Sequence, residues 1–280
     1  MTADAEKFRQ LTTLLRTIDE SKRVLIGETI DGFNDVNYVS DDSNLLRLIC
    51  SQRTVTTINI PGVGYRQQQD PFKEQLLIQC INKVLDRGID RGVKFGSYKA
   101  PILFFAEDPV LFTHLCEEGF DPNERLIQSG YEGYPFFMLH HHFEMNNYKV
   151  AKRFGFDPHF PLSRDKNLLQ LFFSRFVDFN LDSLEELLID FDSMKNIPDP
   201  VTGMAPIHTY IASVGANNFS YKTVGFLLQH GFDPNVKTEE AFFGSSFEVP
   251  AGSTSIDILN IYYSVFGSDE WKDKMQRLLR

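Results

Sequence analysis

The sequence predicts an all-α chain, a repeat solenoid of tandem helix-turn-helix units with two inserted loops. Three observations lead there. A helix-stop phrase recurs along the 280 residues, a short apolar opener alternates with it, and apolar residues stand at helical spacing before the stops.

The stop is plainest in "LCEEGFDPN" at 115–123, "KRFGFDPH" at 152–159 and "LLQHGFDPN" at 227–235. Gly takes the left-handed conformation at little cost, and the next apolar residue folds back onto the last turn. Pro then prevents the helix from resuming. A looser form of the phrase gives six stops, at Gly32, Gly88, Gly119, Gly155, Asp190 and Gly231. Asp190 replaces Gly in the fifth, a less comfortable cap. Before the stops, Leu77, Cys80, Ile81, Val84 and Leu85 share one helix face, as do Leu184, Leu187, Leu188 and Phe191, and Val224, Leu227 and Leu228. Helices of two or three turns are marginal alone and need neighbours.

The openers are "NLLRLI" (44–49), "APILFFA" (100–106), "YPFFML" (134–139), "NLLQLF" (167–172), "APIHTYIA" (205–212) and "TSIDIL" (254–259). In each, a small or polar residue, often beside Pro, starts a short apolar helix. Stops and openers alternate strictly. The units follow: a capping unit over 1–34 with Phe8, Leu11, Leu15 and Ile18 on one face, five degenerate repeats over 35–233, and a capping repeat over 234–280. The last carries Trp271, Met275, Leu278 and Leu279 as an apolar stripe on a charged helix. Capping units shield the open ends of a repeat core.

"APIH" at 205–208 and "TSIDIL" at 254–259 resemble the opening of an ankyrin repeat, and "LLQHGFDPN" resembles the ending of its second helix. The resemblance covers most of the chain and implies an ankyrin-like fold. Phe or Ile follows the Gly where the family has Ala, and Ala205 stands where its Thr would meet His208. The divergence and the Phe-rich units also resemble ankyrin proteins that intracellular bacterial pathogens deliver into host cells. That likeness implies an effector acting on host proteins, in the host cytosol.

Two stretches exceed the repeat. Residues 51–70, "SQRTVTTINIPGVGYRQQQD", have turn punctuation and no helical period, which suggests an ordered loop or small hairpin. Residues 236–253, "VKTEEAFFGSSFEVPAGS", precede the last opener, where the resemblance implies a finger loop toward a concave face. Phe242, Phe243 and Phe247 there either fold back onto the core or meet a partner. The candidate binding residues are finger-loop side chains: Arg125, Tyr131, Arg164, Asp165, Phe242, Phe243 and Phe247.

Signals for chemistry are sparse. His140, His141 and His142 are adjacent, so on a helix they diverge by about 100° and cannot converge on one ion. His114 and Cys116 are wrongly spaced to share a helix face. Cys50, Cys80 and Cys116 have no metal-ligand spacing, and Cys50 and Cys80 fall at core positions. "PGVGY" at 61–65 lacks the pattern of a phosphate-binding loop. No catalytic residue, metal or cofactor is expected. A net charge of −10 disfavours nucleic acid and anionic membrane surfaces as partners. Three unpaired cysteines suit a reducing, cytoplasmic setting. The expected function is therefore a monomeric protein–protein interaction module, binding through the concave surface of finger loops and first helices. The alternative is an enzyme or enzyme inhibitor with a site near the 51–70 insertion, and self-association through the inserted loops is a third possibility.

Overall fold

The computed structural model describes residues 2–60, 64–96, 99–128, 131–137, 143–159, 168–175, 181–200, 202–213, 221–243, 248–266, 273 and 276–279. The chain forms two compact units, Met1–Asp157 and Pro158–Arg280. The first contains α1 (Ala3–Arg16), α2 (Arg23–Asp31), α3 (Leu45–Cys50), β1 (Val55–Ile60), β2 (Gly64–Gln69), α4 (Pro71–Asp86), a 3-10 turn at Ile102–Phe105, α5 (Pro109–Glu117), β3 (Leu126–Gln128), β4 (Tyr131–Gly133) and α6 (Met145–Arg153). The second contains α7 (Leu168–Arg175), α8 (Leu181–Phe191), α9 (Pro206–Ser213), α10 (Tyr221–Gln229), β5 (Phe242–Phe243), β6 (Glu248–Val249) and α11 (Ser255–Phe266).

The expectation of an all-α, ankyrin-like repeat solenoid is corrected. Three antiparallel two-stranded sheets, β1–β2, β3–β4 and β5–β6, interrupt the helices. Helical periodicity is blind to them, because a hairpin is set by local turn geometry and period-two pairing. The repeat is not uniform either. Four openers start helices α3, α7, α9 and α11, "APILFFA" makes only a 3-10 turn, and Tyr134 and Phe137 of "YPFFML" pair across a turn. Residues 51–70 form a small hairpin, one of the two forms their punctuation suggests, and 236–253 also hold a short hairpin.

Four of the six stops take the left-handed backbone, with φ of +78° at Gly88, +86° at Gly119 and Gly155, and +80° at Gly231. The following residue then bonds back five positions: Phe120 N–H to Leu115 at 3.1 Å, Phe156 to Ala151 at 2.9 Å and Phe232 to Leu227 at 3.0 Å. That is the Schellman arrangement, and it buries each Phe against the helix it ends. Gly32 differs, with φ −71°. There the buried Asp4 carboxylate turns the chain instead, accepting from Asn34 N–H at 3.0 Å and Asp35 N–H at 3.1 Å. Asp190 is no stop. Helix α8 continues to Phe191 and tightens into a 3-10 turn at Asp192–Met194.

One residue type links successive stops. Asn123 accepts from Asp157 N–H at 3.0 Å and donates to Gly155 C=O at 3.1 Å. Asn196 makes the same pair of bonds, with Asp233 N–H at 2.8 Å and Gly231 C=O at 3.1 Å. Asn37 makes half of it, accepting from Asp90 N–H at 2.6 Å. Around these bonds the first unit packs aromatic rings. Phe136 lies 4.8 Å from Phe156 and 5.1 Å from Tyr148, centroid to centroid, which gives part of the large Phe content a place in the core. In the second unit α9 packs against both α7 and α11. Leu279 is buried, and Gln276 bonds Asn260 of α11 at 3.0 Å, while Trp271 and Met275 lie outside the described residues.

His208 is fully buried on α9, and its Nδ1 accepts the Ala205 N–H at 3.3 Å. The backbone supplies the donor that a Thr hydroxyl would otherwise offer. Among the described residues Nε2 has no partner of hydrogen-bonding geometry, although the Val236 backbone lies within electrostatic reach. Burial pushes the imidazole down to about 4.

Asn123→Ala and Asn196→Ala each remove the two bonds to the next stop, and Asn123→Ala also removes one to Asp121; each is expected to cost about 1–3 kcal/mol in urea unfolding. An exposed control, Glu6→Ala, stays within about 0.5 kcal/mol. Because the folded His208 titrates below the unfolded imidazole at about 6.5, the unfolded chain binds the extra proton between the two values. Stability from this group is present above that window and is lost as pH falls through about 4. Thermal melts across the window check it, and His208→Gln is expected to flatten this part of the profile.

Candidate functional site

The first hairpin stands beside a cleft. Register pairs Val55 with Gln69, Thr56 with Gln68 and Thr57 with Gln67. Just outside it, Asp70 N–H bonds Thr54 C=O at 2.9 Å, which makes the even-numbered pairs the inward-bonded ones. Val55, Thr57, Gln67 and Gln69 therefore send their N–H and C=O groups to the outer edges. Their side chains share one face. The β-branched run Val55-Thr56-Thr57-Ile58 suits a strand, while Arg66, Gln67, Gln68 and Gln69 are all exposed.

The cleft measures about 340 Å³ and lies between this face and the starts of α5 and α6. Val55, Gln67 and Gln69 line it from the hairpin, Pro109 and Val110 from α5, and Asn146 from α6, with Arg53, Glu107, Asp108 and Glu144 around them. Each charged group has a structural reason for its position. Asp108 is the N-cap of α5, accepting from Val110 N–H at 3.0 Å, and Pro109 at the first helical position needs no donor partner. Its other oxygen accepts both the N–H and the hydroxyl of Thr54, each at 2.7 Å, fastening the hairpin's base to the helix start. Asn147 donates to the Ala106 and Glu107 carbonyls at 3.0 and 3.3 Å, which holds the first turn of α6 against that backbone. Glu144 precedes α6, its N–H bonded to Phe136 C=O at 2.8 Å.

Arg53 bonds Glu107 at 2.7 Å. Its proton is held more tightly than usual, chiefly by that hydrogen bond, and the charges of Glu107, Glu144 and Asp108 add to it. One guanidinium thus sits among three carboxylates. Among the described residues no group of three or more His, Cys, Asp or Glu is placed to hold a metal ion.

None of the sequence-predicted binding residues lines this cleft. Arg125 is half-buried and Tyr131 lies in β4 opposite Gln128, both after the C-terminal end of α5, whereas the cleft adjoins its N-terminal end. Phe242 is half-buried and Phe243 is 71% exposed in β5. Their loop is closed at its base, where Thr238 N–H bonds Ser253 C=O at 2.9 Å and Thr238 Oγ1 accepts from Ser253 N–H at 3.0 Å. Arg164, Asp165, Phe247 and the three histidines 140–142 lie outside the described residues. His114 Nε2 meets Asn82 Oδ1 at 2.6 Å. The thiols of Cys50, Cys80 and Cys116 are all buried, and burial raises each, to about 12 for Cys80 and Cys116. Among the described carboxyls, burial pushes Glu124 upward, and it too lies beyond the far end of α5. Sequence reasoning missed Glu107, Asp108 and Glu144. The readable signal was Asp108-Pro109 before an apolar run, a helix start with an acid beside it.

No family model and no curated protein matches the chain, so the resemblance to ankyrin repeats rests on its sequence phrases alone. Among solved structures, a chain of the complex between the predatory endopeptidase Bd0816 of Bdellovibrio bacteriovorus and immunity protein Bd3460 is similar, at 14% identity and a TM-score of 0.47, covering 73% of this chain and 94% of that one.

Proposed function

We propose that this chain is a protein–protein interaction module that holds a partner protein on its hairpin-bearing surfaces. The observation that carries the reading is Phe243, 71% exposed on a short hairpin whose loop is tied at the base. An aromatic ring held in water on an ordered support is what a binding anchor requires. Its burial in a complex gains apolar area while little loop entropy remains to be lost. Polar hairpin edges in the first unit offer main-chain groups of the kind that extended partners use. No helix among the described residues is long and apolar enough to cross a membrane.

The enzyme reading would use the cleft, which adjoins the 51–70 insertion, but none of the residues lining it is a Ser, Cys or His. Asp108 spends both oxygens on Thr54 and Val110, Glu107 is paired with Arg53, and the thiols are buried. A binding surface accounts for these features without further demands.

Two experiments test the reading. A protein captured specifically by the wild-type chain is expected to be lost, or weakened by about tenfold or more, with Phe243→Ala, since aromatic hot spots carry about 2 kcal/mol or more. Equal capture by both would remove the anchor. Native protein treated with an aromatic disulfide reagent at neutral pH is expected to react only as it unfolds, because the thiolate is the reactive form. A fast stoichiometric reaction of the folded chain would return a cysteine nucleophile to consideration.

A further inference from the structure

We infer that the outer edge of β2 takes up an extended segment of the partner protein as a third, antiparallel strand, with an acidic residue of that segment opposite Arg66; this rests on the partner-binding reading above. An edge strand is a template for pairing unless something blunts it. The usual devices are missing here. Neither β1 nor β2 contains Pro or Lys, and each is six residues long. The register runs without a bulge from the pair Val55 and Gln69 to the pair Ile60 and Gly64. Among the described residues β1 is the element packed along β2, and Arg66, Gln67, Gln68 and Gln69 are all exposed. The N–H and C=O groups of Gln67 and Gln69 point away from β1, and among the described residues no other group meets them. The β1 edge is less open, since Val55 and Thr56 are half-buried. A strand added to β2 in the antiparallel sense continues the hairpin and has the stabler of the two pairings.

Arg66 sets the chemistry of that strand. It is the one charged residue in β1 and β2, and its register partner is Ile58. Among the described residues no carboxylate is paired with it. The nearest acid along its own strand direction, Asp70, is spent on the Thr56 hydroxyl and the start of α4. A residue of the added strand that stands opposite Arg66 has its Cβ about 4.5–5.5 Å away, where a carboxylate pairs and a cation is repelled. Neither strand of a second copy contains an acid, so another protein fits the position better than this chain does. The register then fixes the backbone. Arg66 bonds inward to β1, so the acid opposite it turns its own N–H and C=O away, while its two neighbours bond Gln67 and Tyr65.

The test uses the full chain and short fluorescent peptides of alternating Thr and Val, with Glu, Gln or Lys at the centre, read by anisotropy. The Glu peptide is expected to bind about threefold or more tightly than the Gln peptide, and the Lys peptide to bind least. High salt narrows the ranking, and Arg66→Glu reverses it. N-methylation of the two residues flanking the central Glu weakens binding about tenfold or more, whereas N-methylation of the Glu itself is tolerated. Gln67→Pro removes an outward N–H without touching a ladder bond, and it lowers binding of all three peptides. Matched thermal melts confirm that the variants fold. Equal affinity for the three centres, an order that Arg66→Glu leaves unchanged, equal effects of the two methylations, or no binding of any peptide overturns the assignment. A molar mass that rises with concentration in the wild type and not in Gln67→Pro seats a second copy on the edge, and overturns it too. If the peptides fail while a captured partner still depends on Phe243, the edge assignment falls alone; if capture fails as well, both readings fall.

Discussion

The bond from an asparagine side chain to the next helix stop is the constraint on which each unit depends. A Schellman turn finishes a helix but leaves the following loop free to leave in many directions. Asn123 removes that freedom by taking the Gly155 carbonyl and the Asp157 N–H together, and Asn196 does so for Gly231 and Asp233. Both bonded groups belong to the turn itself. Each link ties the segment after one helix to the stop of a later one. Without that link, helices of eight or nine residues such as α7, α9 and α10 would fall below the length at which helices persist alone.

This explains how much of the fold was legible. Gly88, Gly119, Gly155 and Gly231 could be read because only Gly reaches φ near +80° without strain, and the Phe or Ile after each marks the fold-back. The Asn in "GFDPN" was visible as punctuation, but its partner some thirty residues away was not. Gly32 and Asp190 misled for a physical reason. A Gly before Phe meets the pattern whether or not the backbone turns left-handed, and at Gly32 the turning is done by Asp4, far away in sequence. The strands were hidden because β3, β5 and their partners are two or three residues long, too short for a period to register.

The site was less legible. Glu107, Asp108 and Glu144 are ordinary acids in the sequence, and each has a local reason to exist. Their meeting depends on Thr54 reaching Asp108 and Asn147 reaching the backbone at 106–107. Such convergence is a property of tertiary structure. The sequence did point to 51–70 as a place of interest, through its missing helical period, and the cleft adjoins it. The finger-loop residues lie elsewhere on the chain, and of them Phe243 is 71% exposed.

Asp108 has one more consequence. Among the described residues of the first hairpin, Thr57 and residues 66–69 are all exposed. Its alignment comes from its foot, where Thr54 is caught by Asp108 and Thr56 by Asp70 at 2.7 Å. Close to that foot Gln69 adds one bond to α4, donating to Glu74 at 3.0 Å. Mutational drift can therefore lengthen, shorten or recolour the ribbon's outer half while the helices below keep their stability. Such a hairpin is an evolvable appendage, able to follow a changing partner on a scaffold that stays the same.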